Sequence, residues 1–130
     1  MYSKVQFLTE CSVFSVGLFA ESHLPYEIDV AGKEHEAPSI VDMTETAIRF
    51  LQKNKQNGYF LLVEGGRIDH AHHDNRALKA LEEVVAFDLA IQSAQQLTNE
   101  SDTLIIVTAD HSHTFNINGY PARGNPITGQ

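Results

Sequence analysis

Two short segments of this sequence concentrate side chains that bind divalent metal ions. Residues 63–73 (VEGGRIDHAHH) contain two carboxylates and three imidazoles, and residues 108–111 (TADH) add an Asp-His pair. Of the seven histidines, five lie in or beside these segments: His70, His72, His73, His111 and His113. Zinc binds carboxylate oxygen and imidazole nitrogen, whereas magnesium prefers carboxylates and water. The segments therefore predict a mixed zinc and magnesium centre, in which two metals about 4 Å apart could clamp the oxygens of a displacement at phosphorus.

Each segment follows a short apolar run that predicts a buried β-strand. Residues 59–64 and residues 103–108 are both short and apolar, and a helical pattern separates them. This order predicts a β-α-β unit with parallel strands and a right-handed crossover. Because parallel strands end at the same edge of a sheet, where ligands bind, side chains about forty residues apart can converge on one site. Gly65 and Gly66 would let the backbone turn tightly beside Glu64.

Two helices are predicted around these strands. Ser39, with Asp42 three residues later, resembles a capping box and predicts the start of the first helix. Residues 74–96 predict the second helix, with Asp74 as its N-cap. The large apolar side chains of this second helix recur every three or four positions: Leu78, Leu81, Val85 and Leu89.

Each metal-binding motif also has a simpler interpretation. An Asp-x-x-x-His pair, such as that of residues 69–73, is common on protein surfaces, and so is an isolated Asp-His dipeptide such as residues 110–111. The occurrence of both motifs directly after apolar runs favours a metal site. The roles of His72 and His113 stay open, because each could be a metal ligand, a residue that supports the ligands or a solvated side chain.

Composition and charge exclude several other classes of protein. The net charge is −8 with the histidines neutral, and the lysines and arginines are scattered, which argues against a nucleic-acid partner. The single cysteine, Cys11, excludes an intrachain disulfide and a cysteine-based zinc site. The sequence contains no apolar run of about 18 residues, the length that would span a membrane. Glu10 interrupts the only candidate signal peptide.

Three motifs resemble the metal-binding core of animal-type alkaline phosphatases: VEGGRIDHAHH, VTADHSHTF and the closing GYPARGNPITG. The resemblance covers about residues 17–130, which it identifies as a partial catalytic domain, whereas residues 1–16 do not align convincingly. It implies an α/β fold of three layers, in which helices flank a central, mostly parallel sheet. It also implies hydrolysis of phosphate monoesters with two zinc ions, one magnesium ion and a serine nucleophile that is transiently phosphorylated.

The resemblance assigns metal ligands residue by residue. Glu64 would bind magnesium. Asp69 and His73 would bind the first zinc ion, which activates the hydrolytic water. Asp110 and His111 would bind the second zinc ion, which holds the serine oxygen. The remaining histidines of the two segments are candidates for positions around these ligands: His70, His72 and His113.

Other features of the family have no counterpart in this sequence. It contains no Asp-Ser-Ala segment, so no catalytic nucleophile is assigned, and none of its arginines stands at the position of the phosphate-binding arginine. The third protein ligand of the first zinc ion, a histidine, belongs to a segment that follows Gln130. Ala20 and Ala37 replace two calcium-binding carboxylates, and Glu21 or Glu36 could substitute only if the loop shifts. A calcium site is therefore expected to be weak or absent.

The sequence thus predicts a fragment or partial gene product of a larger phosphomonoesterase, inactive and poorly soluble as an isolated chain. The alternative is a catalytically inactive product that binds metal or a partner on the same scaffold, and a related two-metal phosphodiesterase or mutase is a third possibility. The family further implies phosphate monoester substrates, a homodimer, and an extracellular location at the cell surface through a C-terminal lipid (GPI) anchor. Neither a signal peptide nor an anchor is visible in this chain.

Overall fold

The computed structural model describes residues 16–32 and 37–128, which contain four helices. The helices are α1 (Glu27–Val30), α2 (Ile40–Leu51), α3 (Arg67–His73) and α4 (Ala77–Leu97). The three shorter helices each pack against α4, which is therefore the support of the described part of the chain. No helix in this part is long and apolar enough to cross a lipid bilayer. Several residues discussed above lie outside the described ranges, together with residues 1–15 of the unaligned segment: Glu10, Cys11, Glu36 and Gln130.

Helix α2 begins where the capping box predicts. The Ser39 hydroxyl accepts a hydrogen bond from the Asp42 N–H at 3.1 Å, and the Asp42 carboxylate accepts one from the Ser39 N–H at 3.2 Å. These bonds satisfy N–H groups that the first turn of a helix leaves unpaired. A hydrogen bond of 2.6 Å from the Ser93 hydroxyl to the Glu45 carboxylate then joins α4 to α2.

The helix predicted over residues 74–96 begins three residues later than expected. Asp74 closes α3 instead of opening α4, and Asn75 adopts a left-handed φ of 55°. Such a conformation cannot continue a right-handed helix, so α3 and α4 are separate elements. The prediction that Asp74 is an N-cap is therefore wrong, and Arg76 precedes α4 instead.

Helix α4 packs through small side chains and leaves its large apolar stripe uncovered. Its buried residues are all small: Ala80, Ala86, Ala90 and Ser93. Short side chains at a contact let neighbouring helices approach closely. The predicted stripe of larger side chains is between 38% and 54% exposed: Leu78, Leu81, Val85 and Leu89. Within the described residues, the stripe thus forms an open apolar face.

The predicted α/β fold with a central parallel sheet is wrong for the described residues, which contain no β-strand. Residues 59–64 and 103–108 belong to neither a helix nor a strand. Phe60 and Leu62 are 88% and 75% exposed, while the residues on either side of Leu62 are half-buried. The first run thus keeps the alternation of a strand with one covered face. A strand also needs a hydrogen-bonded neighbour, however, and an apolar pattern does not specify one.

Polar contacts dock α1 onto α4. The Glu83 carboxylate accepts a hydrogen bond of 2.6 Å from the Glu27 N–H, and Lys79 pairs with Asp29. Burial raises the pKa of the Glu83 carboxyl, although the hydrogen bond from Glu27 acts in the opposite direction. The folded chain therefore disfavours the charged form of Glu83.

The raised pKa of Glu83 predicts how stability depends on pH. Because the pKa is higher in the folded chain, stability falls as the pH rises from the unfolded value near 4.5 through the folded value. Glu83→Gln keeps the oxygen acceptor and removes the charge, so this decline should disappear. Chemical denaturation at several pH values between about 4 and 7 measures the free energy of unfolding. A variant that declines as steeply as the native chain would contradict the prediction.

Candidate metal centre

Gly65 sets the turn that leads into α3. A Cβ atom on Gly65 would lie 3.2 Å from side-chain atoms of both Ile68 and Phe87, so these neighbours would have to move to admit one. Phe87 belongs to α4, and Ile68 to α3. Glycine at this position therefore allows the chain to enter α3 in close contact with α4. This close approach explains one of the two glycines that the sequence places beside Glu64.

Helix α3 brings Asp69 and His73 together. They are four positions apart, the spacing that makes helical side chains neighbours, and His73 Nε2 lies 3.4 Å from Asp69 Oδ1. The helix has only seven residues, too few to be stable alone in water. Ala71 is fully buried in one cluster with Ala80 and Tyr26. This packing holds α3 against the rest of the described chain.

The Asp69 carboxylate is the meeting point of three imidazoles. Its Oδ1 atom accepts a hydrogen bond from His113 Nε2 at 2.5 Å. The same oxygen lies 3.4 Å from His73 Nε2 and 3.6 Å from His111 Nε2. His73 belongs to α3, whereas the other two histidines follow the second apolar run. The two metal-binding segments thus meet at one oxygen atom, without the predicted sheet between them.

These contacts keep Asp69 ionised. The hydrogen bond from His113 is the main cause that lowers the pKa of the Asp69 carboxyl, and partial desolvation acts against it. Positive charge on the rings of His73, His113 and His111 lowers the pKa further. The ionised carboxylate is the form that binds metal ions.

His113 lies in the middle of the imidazole cluster. Its ring stacks on that of His72 at a centroid distance of 4.8 Å, with 8° between the planes. It meets the rings of His73 and His111 edge-on, at 4.8 Å and 5.2 Å. Its side chain is 20% exposed, against 67% for His73 and 51% for His111. The sequence left the role of His113 open, although its spacing of two from His111 is the signal that would place both side chains on one side of an extended chain.

Asp110 and Glu64 have different surroundings from Asp69. Asp110 Oδ2 is 3.4 Å from His111 Nε2, and Asp110 Oδ1 accepts a hydrogen bond from the His111 N–H at 3.0 Å. Asp110 therefore joins the cluster through His111. Glu64 lines a small cavity of about 70 Å³, and Glu83 lines the same cavity.

His70, one position after Asp69, is held by other residues. Its Nδ1 atom accepts a hydrogen bond of 3.0 Å from Arg67 Nη1, because a guanidinium group can only donate. Its ring lies 4.3 Å from the ring of His23. These contacts place His70 beside the segment that precedes α1, whereas His72 and His73 contact His113.

Asp69, His73 and His113 are suited to hold one metal ion. Each offers one ligand atom, and these atoms all lie within 4.8 Å of one another. Donors bound to one tetrahedral zinc ion at about 2.0–2.2 Å are separated by about 3.5 Å, so small side-chain rotations would give ligand distances. Because His113 Nε2 is also the atom that hydrogen-bonds to Asp69, His113 can either bind the ion or orient the Asp69 carboxylate, but not both at once.

Comparison with known proteins identifies the family. The sequence profile of the family described as alkaline phosphatase matches residues 7–130. This chain belongs to the alkaline phosphatase family. The family resemblance carried by the two metal-binding motifs is therefore confirmed.

Individual alkaline phosphatases show how much of their length the chain matches. It is 52% identical over 117 residues to the tissue-nonspecific isozyme of Gallus gallus, covering 89% of this chain and 22% of that protein. It is 46% identical over 116 residues to the membrane-bound alkaline phosphatase of Bombyx mori, covering 89% and 20%. It is 49% identical over 116 residues to the alkaline phosphatase of Gadus morhua, covering 89% and 24%. The chain thus spans less than a quarter of the length of these relatives.

The geometry predicts that Asp69 dominates metal binding by this alkaline phosphatase chain. Asp69→Asn preserves size but removes the charge that three imidazoles contact. The affinity for zinc should fall by about 100-fold or more, since changes to residues that merely support ligands already cost about 10–100-fold. Competition with a chromophoric chelator measures this affinity. Asp74→Asn, which alters an exposed carboxylate at the end of the same helix, is the matched control. Equal affinities for the Asp69 variant and the native chain would disprove the assignment.

Proposed function

We propose that this chain supplies a metal-binding part of a phosphomonoesterase of the alkaline phosphatase family. The observation that carries the proposal is the Asp69 carboxylate, which meets imidazoles from two distant segments. The family match supports the reaction class, and so do relatives whose names describe them as alkaline phosphatases. Because the chain spans less than a quarter of those relatives, the reaction is proposed for the longer protein.

In this proposal, the ligands are divided among three metal ions. Asp69 and His73 bind the first zinc ion, Asp110 and His111 bind the second, and Glu64 binds magnesium. The donor types fit, since zinc accepts carboxylate and imidazole and magnesium prefers carboxylate. The contact of 3.6 Å between His111 and Asp69 brings the two zinc-binding pairs within the range of neighbouring ions. Zinc, when bound, would supply a Lewis acid and lower the pKa of a coordinated water.

The other histidines hold these ligands in place. His113 donates a hydrogen bond to Asp69 and so fixes the direction of the carboxylate. His72 stacks on His113 and restricts its ring. Partners of this kind typically orient metal ligands and adjust their basicity.

The remaining parts of the reaction are assigned to the longer protein. The sequence contains no Asp-Ser-Ala segment, so we place the serine nucleophile, the phosphate-binding arginine and the third ligand of the first zinc ion outside this chain. Residues 17–130 then form part of the catalytic domain. Ala20 and Ala37 lack the carboxylates that calcium prefers, which supports a weak or absent calcium site. The longer protein would act on phosphate monoesters, as a homodimer attached by a lipid anchor to the outer cell surface.

Substitutions in the longer protein test the second zinc site. Asp110→Ala or His111→Ala should lower kcat/KM towards an aryl phosphate by about 1,000-fold, since a catalytic metal contributes several kcal/mol to transition-state stabilisation. Asp102→Ala changes an exposed carboxylate before the same apolar run and should retain activity. Steady-state kinetics at alkaline pH give the comparison. Near-native turnover in either of the first two variants would refute the assignment.

The second candidate function is metal binding without turnover. The exposure of Asp110, whose side chain is 87% accessible, favours it for the isolated chain, because an open site does not exclude water from the reaction. The 130-residue chain should bind zinc and leave an aryl phosphate intact when both zinc and magnesium are supplied. Calorimetry and release of the aryl alcohol measure these two properties. Steady hydrolysis by the pure chain would instead show that it contains a complete active site.

A further inference from the structure

Two cations lie over the ring of Tyr26, which is 6% exposed. The Cζ atom of Arg67 is 3.8 Å from the ring centroid, and Lys79 Nζ is 4.4 Å from it. The negative faces of an aromatic ring attract such cations, most strongly where water is excluded. Arg67 is the first residue of α3 and Lys79 lies in the first turn of α4. The ring therefore connects the starts of both helices to the segment before α1.

Carboxylates balance these two cations. Lys79 pairs with Asp29, and Arg67 lies close enough to Glu83 for its charge to lower the pKa of that carboxyl. The Glu83 carboxylate in turn accepts a hydrogen bond from the backbone of Glu27. Each of the two cations thus has a carboxyl group in its vicinity.

The hydroxyl group does not explain the position of Tyr26. It is buried and has no hydrogen-bond partner in the part of the chain that the structure describes. A buried polar group without a partner destabilises the folded state. The stabilising features are instead the faces of the ring and its apolar surface, which packs with Ala71 and Ala80.

Helix α3 depends on these contacts because it is too short to be stable alone. Its N-cap, Gly66, provides no side-chain hydrogen bond. Tyr26 contacts Arg67 at the start of the helix and shares a buried cluster with Ala71, in the middle of the helix, and with Ala80. Asp69 lies between Arg67 and Ala71 in the sequence, so the direction of its carboxylate depends on both contacts.

We propose that Tyr26 is a positioning residue of the metal centre. It fixes α3 on both sides of Asp69, and thereby sets where the carboxylate lies relative to His73, His111 and His113. The inference rests on the proposed function in one respect, namely that Asp69 and His73 bind the metal ion. Its connection to α3 runs through Arg67 and through the buried cluster that contains Ala71, so its effect on Asp69 is transmitted through these residues.

Zinc and cobalt binding by the native chain and its variants test this role. Tyr26→Leu removes the aromatic faces and should lower zinc affinity by about 10–100-fold, the range typical of residues that orient ligands. It should also change the intensity of the visible bands of bound Co²⁺, which report ligand geometry. Tyr26→Phe keeps the faces and removes only the unpartnered hydroxyl, so it should restore the native affinity and the native spectrum.

Lys79→Met is the matched control for stability. It removes the second cation from the same ring without altering α3, so it should lower the melting temperature and leave zinc affinity and the cobalt spectrum unchanged. Arg67→Lys keeps the positive charge but loses the planar group that stacks on the ring. This variant should shift zinc affinity and the cobalt spectrum in the same direction as Tyr26→Leu.

The outcomes separate the two proposals. Native zinc affinity and a native cobalt spectrum in a folded Tyr26→Leu chain would overturn the positioning role. If circular dichroism shows that this variant does not fold, the Arg67→Lys variant decides between the outcomes. Native metal binding by Arg67→Lys overturns the inference. Weakened metal binding by Arg67→Lys, with native metal binding by Lys79→Met, supports it. Failure of the native chain to bind either metal would instead overturn the proposed function, and the inference with it.

Discussion

One carboxylate oxygen connects the two segments of the candidate site. Asp69 Oδ1 contacts imidazole nitrogens of His73, His111 and His113, and the stacked rings around His113 add apolar contact to these polar ones. The Asp69 oxygen and the imidazole nitrogens are thus separated by distances close to those between two donors on one metal ion. Binding a cation therefore requires less additional ordering of these donors, because the hydrogen bond and the ring contacts of the folded chain already hold them together.

The direction of Asp69 depends in turn on α4. Helix α3 is too short to be stable by itself, and its fully buried residue, Ala71, packs with Ala80 of α4. The left-handed residue Asn75 lets α3 fold back onto α4 instead of continuing it. Small side chains on α4 permit this close approach, and Tyr26 covers the junction. Two of the candidate ligands, Asp69 and His73, are thus positioned by a short helix that packs against α4.

The sequence predicts the candidate site better than the fold around it. The types and clustering of the side chains single out residues 69–73 and 110–113, and the structure brings these segments together, but without the parallel sheet through which the sequence predicts their convergence. The sheet does not follow, because the pattern of residues 59–64 indicates a covered face but not a hydrogen-bonded neighbour. The sequence pattern does not reveal the packing face of α4, because large apolar residues outweigh alanines in any hydrophobic pattern, whereas close helix contacts favour the small ones. The start of α4 does not follow from the pattern, because Asp74 is by type a good N-cap, and only the left-handed conformation of Asn75 makes it the end of α3 instead.

The two adjacent glycines before α3 differ in their freedom to vary during evolution. A side chain at position 65 would press on Ile68 and on the ring of Phe87 at 3.2 Å, so these neighbours, which pack at the start of the helix that carries Asp69, would have to shift. At position 66, the nearest atoms belong to the flexible side chain of Glu64, at 3.5 Å, an ordinary contact distance. Alanine could therefore become established at the second glycine in some lineages, whereas purifying selection would preserve the first.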